Sequence, residues 1–178
     1  PDSADDMVPH DFRVICLDAQ DGKVLWDKTA WSGVPKFKRH TKATHCNSTP
    51  ATDGNVVIAH FGAQGMYAYK LDGTPLWKKE DVGVLDVGPH NGLELEWGFA
   101  SSPIIFDGRV YVQADVKKDS YLAAYDIRDG REIWRVARDD VPGWCTPAIL
   151  PASPTANAAA ATPGATAAQL IVNGCKHM

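Results

Sequence analysis

An Asp-Gly pair followed, four residues after its glycine, by tryptophan occurs three times in this 178-residue chain, and nothing else in it constrains the fold as tightly. The copies are CLDAQDGKVLW (Cys16–Trp26), YAYKLDGTPLW (Tyr67–Trp77) and AAYDIRDGREIW (Ala123–Trp134), pairing Gly22 with Trp26, Gly73 with Trp77 and Gly130 with Trp134. A second unit precedes each later copy or follows the last one: STPATDGNVVIAHFG from Ser48, SSPIIFDGRVYVQAD from Ser101, and CTPAIL with QLIVNG from Cys145 to Gly174. Asp-Gly supplies the positive φ of a tight two-residue hairpin turn, and β-branched and aromatic residues flank it, so each unit reads as two β-hairpins. The proline opens the first strand, where a missing ladder donor costs little. Val56, Val57 and Ile58 are apolar at consecutive positions, which predicts a strand buried on both faces.

Successive tryptophans lie 51 and 57 residues apart, and four strands at such a period predict an all-β propeller of four-stranded antiparallel blades. The tryptophan, a large flat side chain at one fixed point of every outer strand, suits a bridge to the neighbouring sheet. The register gives the end of a first blade over 12–35, a second blade over 45–80, a third over 98–138 and the start of a fourth over 144–178. That is an arc of about three blades, whereas closed propellers have about 4–8. The chain therefore reads as one partial propeller domain cut from a longer protein, its open ends leaving apolar faces that missing blades or self-association would cover. The segment 151–168, rich in Ala, Pro and Thr, reads as a flexible insertion in the fourth blade.

Composition narrows the function. A net charge of −4 argues against a nucleic-acid partner, and no apolar run approaches the length of a membrane helix. The opening PDSADD lacks the basic and apolar regions of a signal peptide. Cys16, Cys46, Cys145 and Cys175 have no CxxC spacing and read as small buried hydrophobes. Cys145 and Cys175 flank one hairpin, so a disulfide between them is one open pairing.

The unusual residues gather in the loops that lead from one blade to the next, 30–47, 78–100 and 137–144. Ligand-face candidates there are Arg39, His45, Asn47, Trp97, Asp140 and Trp144, the two tryptophans being able to stack a planar ligand or to pack the channel lining. His40, His45, Cys46 and His90 are residue types that zinc or copper accepts, but the H-x4-H-C spacing matches no strong template and no metal site is expected from it. No nucleophile elbow or phosphate-binding glycine loop is present, so no catalytic residue is assigned.

The repeat resembles that of the quinoprotein family, the pyrroloquinoline-quinone (PQQ)-like propellers, whose tryptophan-docking motif reads A-x-D-x-x-[TD]-G-x-x-x-W. Asp18–Trp26 and Asp126–Trp134 follow it, while Tyr69 stands where those copies have Asp18 and Asp126. RHTKATHCNSTPATDG, EWGFASSPIIFDG, RDDVPGWCTP and VNGCKH look like a bacterial group of PQQ-binding-like repeat proteins. The resemblance implies structural docking by Trp26, Trp77 and Trp134 on Gly22, Gly73 and Gly130, and a periplasmic or otherwise extracytoplasmic setting. It also implies a non-catalytic scaffold that holds a protein partner or small ligand on the loop face. The alternative it implies is part of a PQQ-dependent alcohol or sugar dehydrogenase using PQQ with calcium. Such enzymes carry a carboxylate and Asn ligand set and often a Cys-Cys disulfide, neither of which can be matched here, so no cofactor is assigned.

Overall fold

The computed structural model describes residues 3–83, 85–88, 94–152 and 167–176. Twelve strands and a single 3-10 turn, Gly62–Gln64, make up the regular structure among them. Strands β1 (His10–Leu17) and β2 (Val24–Gly33) form a two-stranded antiparallel sheet. Strands β3 (Ala51–Thr52), β4 (Val56–His60), β5 (Met66–Lys70) and β6 (Pro75–Lys79) form a four-stranded meander. Strands β7 (Ile104–Phe106), β8 (Arg109–Ala114), β9 (Tyr121–Asp126) and β10 (Glu132–Ala137) repeat it, and β11 (Ala148–Leu150) pairs with β12 (Gln169–Ile171). The chain is thus a partial β-propeller with two complete four-stranded blades between two incomplete ones. Most of the insertion at 151–168 lies outside the described residues.

Side chains alternate across a strand, and in the second blade both faces are dry. Ile58, Met66 and Ala68 face one way, into a core shared with Val110, Val112, Ala123 and Tyr125 of the third blade. Ala59, Tyr67 and Tyr69 face the other way, onto Phe12 and Val14 of the first. The outermost strands β6 and β10 are mostly exposed. At the two ends of the arc apolar side chains face solvent: Ile15, Leu17 and Leu25 on the first sheet, Leu150 and Ile171 on the last.

The repeated tryptophan of the first and second blades reaches to the next blade's turn. Trp26 Nε1 donates to the Leu71 carbonyl at 2.7 Å, and Trp77 Nε1 donates to the Ile127 carbonyl at 2.8 Å. The rings lie flat against glycine. A Cβ on Gly73 would stand 2.8 Å from Trp26, and one on Gly130 2.7 Å from Trp77, whereas a Cβ on Gly22 would meet nothing. Trp134 packs against Tyr111 of its own blade, ring centroids 6.0 Å apart.

A second seam runs along the innermost strands. Ser48 Oγ donates to the Ser101 carbonyl, and Ser101 Oγ donates to the Cys145 carbonyl. In parallel, Thr49 N–H donates to Ser102 Oγ and Ser102 N–H donates to Thr146 Oγ1. The residues before each proline, hydroxyl-bearing in all but Cys145, therefore link blade to blade, which explains why Ser/Thr-Pro recurs.

Two sequence expectations need correction. Only Asp107-Gly108 makes a two-residue turn, with φ of 48° and 68° and with Phe106 paired to Arg109. The tryptophan-bearing turns are longer, closed by Asp18 N–H to the Lys23 carbonyl, Lys70 N–H to the Thr74 carbonyl and Asp126 N–H to the Arg131 carbonyl. Nor are the cysteines buried hydrophobes: Cys46 and Cys175 are exposed, Cys16 and Cys145 half-buried, and all four are free thiols, so Cys145 and Cys175 are not bonded.

Candidate functional site

The loops that join blade to blade carry two neighbouring clefts. The first, of about 380 Å³, is lined by His40, Ala43, Asn47, Trp97, Ala100 and Trp144. Trp97 and Trp144 stack with centroids 6.2 Å apart and planes 25° from parallel, and His40 meets Trp97 edge-on at 5.2 Å. Buried Asp86 sets Trp97 in place: its Oδ1 accepts from the Trp97 and Gly98 N–H groups, and Lys117 pairs with its other oxygen at 3.1 Å. Trp144 is held between the Gly143 N–H, which donates to the Asp115 carbonyl, and the Cys145 carbonyl on Ser101. Trp144 remains 51% exposed, while Trp97 Nε1 is a buried donor with no partner among the described residues. The exposed indole of Trp144 gives this cleft an apolar platform.

The second cleft, of about 310 Å³, is lined by Asp6, His10, Phe12, Arg39, His45 and Cys46 among others. Burial lowers the pKa of His45, against the pull of Asp6 at 3.4 Å. Burial alone would raise Asp6; the hydrogen bond and charge of Arg39, with His45, hold its carboxyl below the usual range. Arg39 Nε donates to Asp6 Oδ2 at 2.7 Å, and its Nη1 donates to the Ala43 carbonyl at 2.8 Å.

The six ligand-face candidates therefore divide. Asn47, Trp97 and Trp144 share the first cleft, with His40 added. Asn47 spends its polar atoms on Thr44, accepting from its N–H and donating to its carbonyl, so it is a wall rather than a free donor. His45 and Arg39 belong to the second cleft. Asp140 belongs to neither: its Oδ1 accepts from Val141, Cys175 and Lys176 N–H groups and its Oδ2 from Arg138, tying the loop to the fourth blade. Of the metal-ligand types, His40 and Cys46 do not converge with His45, and His90 lies outside the described residues. Asp6 and His10 were missed by sequence reasoning. For His10 the signal was strand alternation, since it shares a face with buried Phe12 and Val14.

This fold defines the chain as an arc of a PQQ-like propeller. Residues 10–173 match the family model described as outer membrane protein assembly factor BamB, and the chain belongs to that PQQ-like β-propeller repeat family. Among solved structures, a europium-containing methanol dehydrogenase is 17% identical with a TM-score of 0.50, the match covering 73% of this chain and 22% of the enzyme. BamB from Moraxella catarrhalis is 12% identical with a TM-score of 0.46, covering 75% of this chain and 39% of that one. The chain thus spans about a fifth of the dehydrogenase and about two fifths of BamB. No curated protein matches it closely in sequence.

Family membership raises PQQ itself, and the tryptophan cleft does not fit it. PQQ is a planar tricarboxylate, yet the tryptophan cleft is lined by no Lys, Arg, Asp or Glu. Trp97 and Trp144 lie against each other, where a sandwiched ring would need about 7 Å between their planes. The nearby buried carboxylates are already engaged, Asp86 by Lys117 and Asp115 by Arg138 at 2.6 Å.

Proposed function

We propose that this arc is a binding module of an extracytoplasmic bacterial protein, holding a protein partner or small ligand on its blade-joining loops rather than carrying out chemistry itself. The observation that carries the reading is the exposed Trp144 stacked on Trp97 at the mouth of an apolar cleft. Tryptophan anchors of this kind dominate binding energy when a partner removes them from water. Family membership supports a scaffold role, BamB being named for outer-membrane protein assembly. The occupant best suited to the cleft is an apolar or aromatic side chain of an extended peptide, laid against the exposed Trp144. No helix among the described residues is long and apolar enough to cross a membrane.

The test is a binding selection from a random peptide library on the immobilised chain, read again with Trp144→Ala. Selected peptides rich in aromatic residues that lose at least about tenfold in affinity on Trp144→Ala support the reading, as hot-spot truncation would. Saturable low-micromolar binding of PQQ with calcium, accompanied by dye reduction with an alcohol or sugar, would overturn it.

A further inference from the structure

The second cleft holds three side chains that the tryptophan platform does not use. One ligand-capable atom from each of Asp6, His10 and His45 lies within 4.8 Å of the other two. Asp6 comes from the segment before the first strand, His10 opens β1, and His45 sits on the loop leading to the second blade. Asp6 Oδ1 and His45 Nε2 are 3.4 Å apart, both buried, and neither makes a hydrogen bond among the described residues. Two ligands bound tetrahedrally at about 2.0–2.2 Å are separated by roughly 3.4 Å, so this pair already has the spacing of one edge of a zinc site.

The surroundings hold the three in place. Arg39 binds the other oxygen of Asp6 and leaves Oδ1 free, as an outer-shell partner orients a ligating carboxylate. His10 Nε2 lies 3.1 Å from the Asp6 carbonyl, and its ring packs 5.2 Å from that of His45. Phe12 closes one side of the group, 6.2 Å from the His45 ring. Two imidazoles and a carboxylate are a borderline donor set, which favours zinc, cobalt or copper over calcium or magnesium.

We propose that Asp6, His10 and His45 form a three-ligand site for a divalent transition metal of the zinc class, with its remaining position open to the cleft. Bound there, the ion fastens the N-terminal segment and the 30–47 loop to the first blade. The site is independent of the tryptophan platform.

The test uses the full chain, stripped with chelator and titrated with cobalt(II) and zinc(II). The expected result is one metal per chain, a visible cobalt absorption that zinc displaces, and slower proteolysis of the N-terminal segment when metal is bound. His10→Gln and His45→Gln each weaken binding by more than about tenfold, while His40→Gln leaves it unchanged. Where circular dichroism shows that His45→Gln disturbs the fold, Asp6→Asn takes its place. Absence of saturable uptake by the folded wild-type chain overturns the proposal. So does uptake that survives both histidine substitutions.

Discussion

The three tryptophan turns have nearly the same backbone and very different surroundings. Gly22, Gly73 and Gly130 have φ of 74°, 81° and 72°, so the local turn is the same kind of left-handed geometry each time. Yet Gly73 and Gly130 are buried beneath the tryptophan of the preceding blade, whereas Gly22 is exposed. The same contrast holds for the tryptophans: Trp26 and Trp77 each donate to the next blade's turn, while Trp134 stays against Tyr111. The repeat therefore encodes a turn locally and a seam only between neighbours, and stability should concentrate in the seams, as in other repeat architectures.

That contrast can be broken in several ways. Trp77→Ala removes a half-buried indole, its hydrogen bond and its cover of Gly130, and should cost about 3 kcal/mol or more, against about 1–2 kcal/mol for Trp134→Ala. Urea unfolding measures both, and equal losses would dissolve the distinction between seam and end.

His60 probes the seam by pH. It lies 3% exposed at the end of β4, edge-on to Phe99 at 4.8 Å, and burial pushes its pKa from 6.5 down to about 4. Below pH 6.5 the unfolded chain takes up a proton that the folded chain refuses. Stability is therefore full above about pH 6.5 and falls progressively toward pH 4, by about 3 kcal/mol in total. The stability difference between wild type and His60→Leu should shrink or reverse across that window, and a difference constant from pH 7 to 4.5 would contradict the assignment.

Gly130→Ala and Gly73→Ala should cost about 2–3 kcal/mol, since a Cβ there meets both left-handed strain and an indole ring. Gly22→Ala should cost about 1 kcal/mol, from strain alone. Thermal unfolding of the three variants separates the two contributions. The smallest effect belongs to the outer face of the first blade, where Ile15→Thr should change stability by less than about 0.5 kcal/mol, although Val14→Thr one residue away costs several times that.

Much of this fold was legible because it is written locally and repeated. The Asp-Gly turns, the strand-opening prolines and the doubly apolar run at Val56–Ile58 each report a backbone or burial requirement that needs no distant partner. Turn length was less legible, because the Asp-Gly signal marks the positive φ and says nothing of which carbonyl closes the loop. The clefts were legible only in part. Trp97 and Trp144 stood out by chemistry, and their place before an innermost strand put them together. Asp6, by contrast, sits in a segment with no periodicity, and its approach to His10 and His45 depends on how Arg39 draws the N-terminal segment across the first blade. Asp140 looked like a ligand because it is an acid on a loop, but three N–H groups of the fold claim it first.

The most direct test of the seam account is a pair of double-mutant cycles read by urea unfolding. Trp77→Ala with Gly130→Ala spans two blades, and should show a coupling of about 1 kcal/mol or more, because the alanine methyl loses its clash once the indole is gone. Trp26→Ala with Gly22→Ala lies within one repeat, and should show additivity to within about 0.5 kcal/mol. Coupling within the repeat as large as coupling between blades would contradict the account.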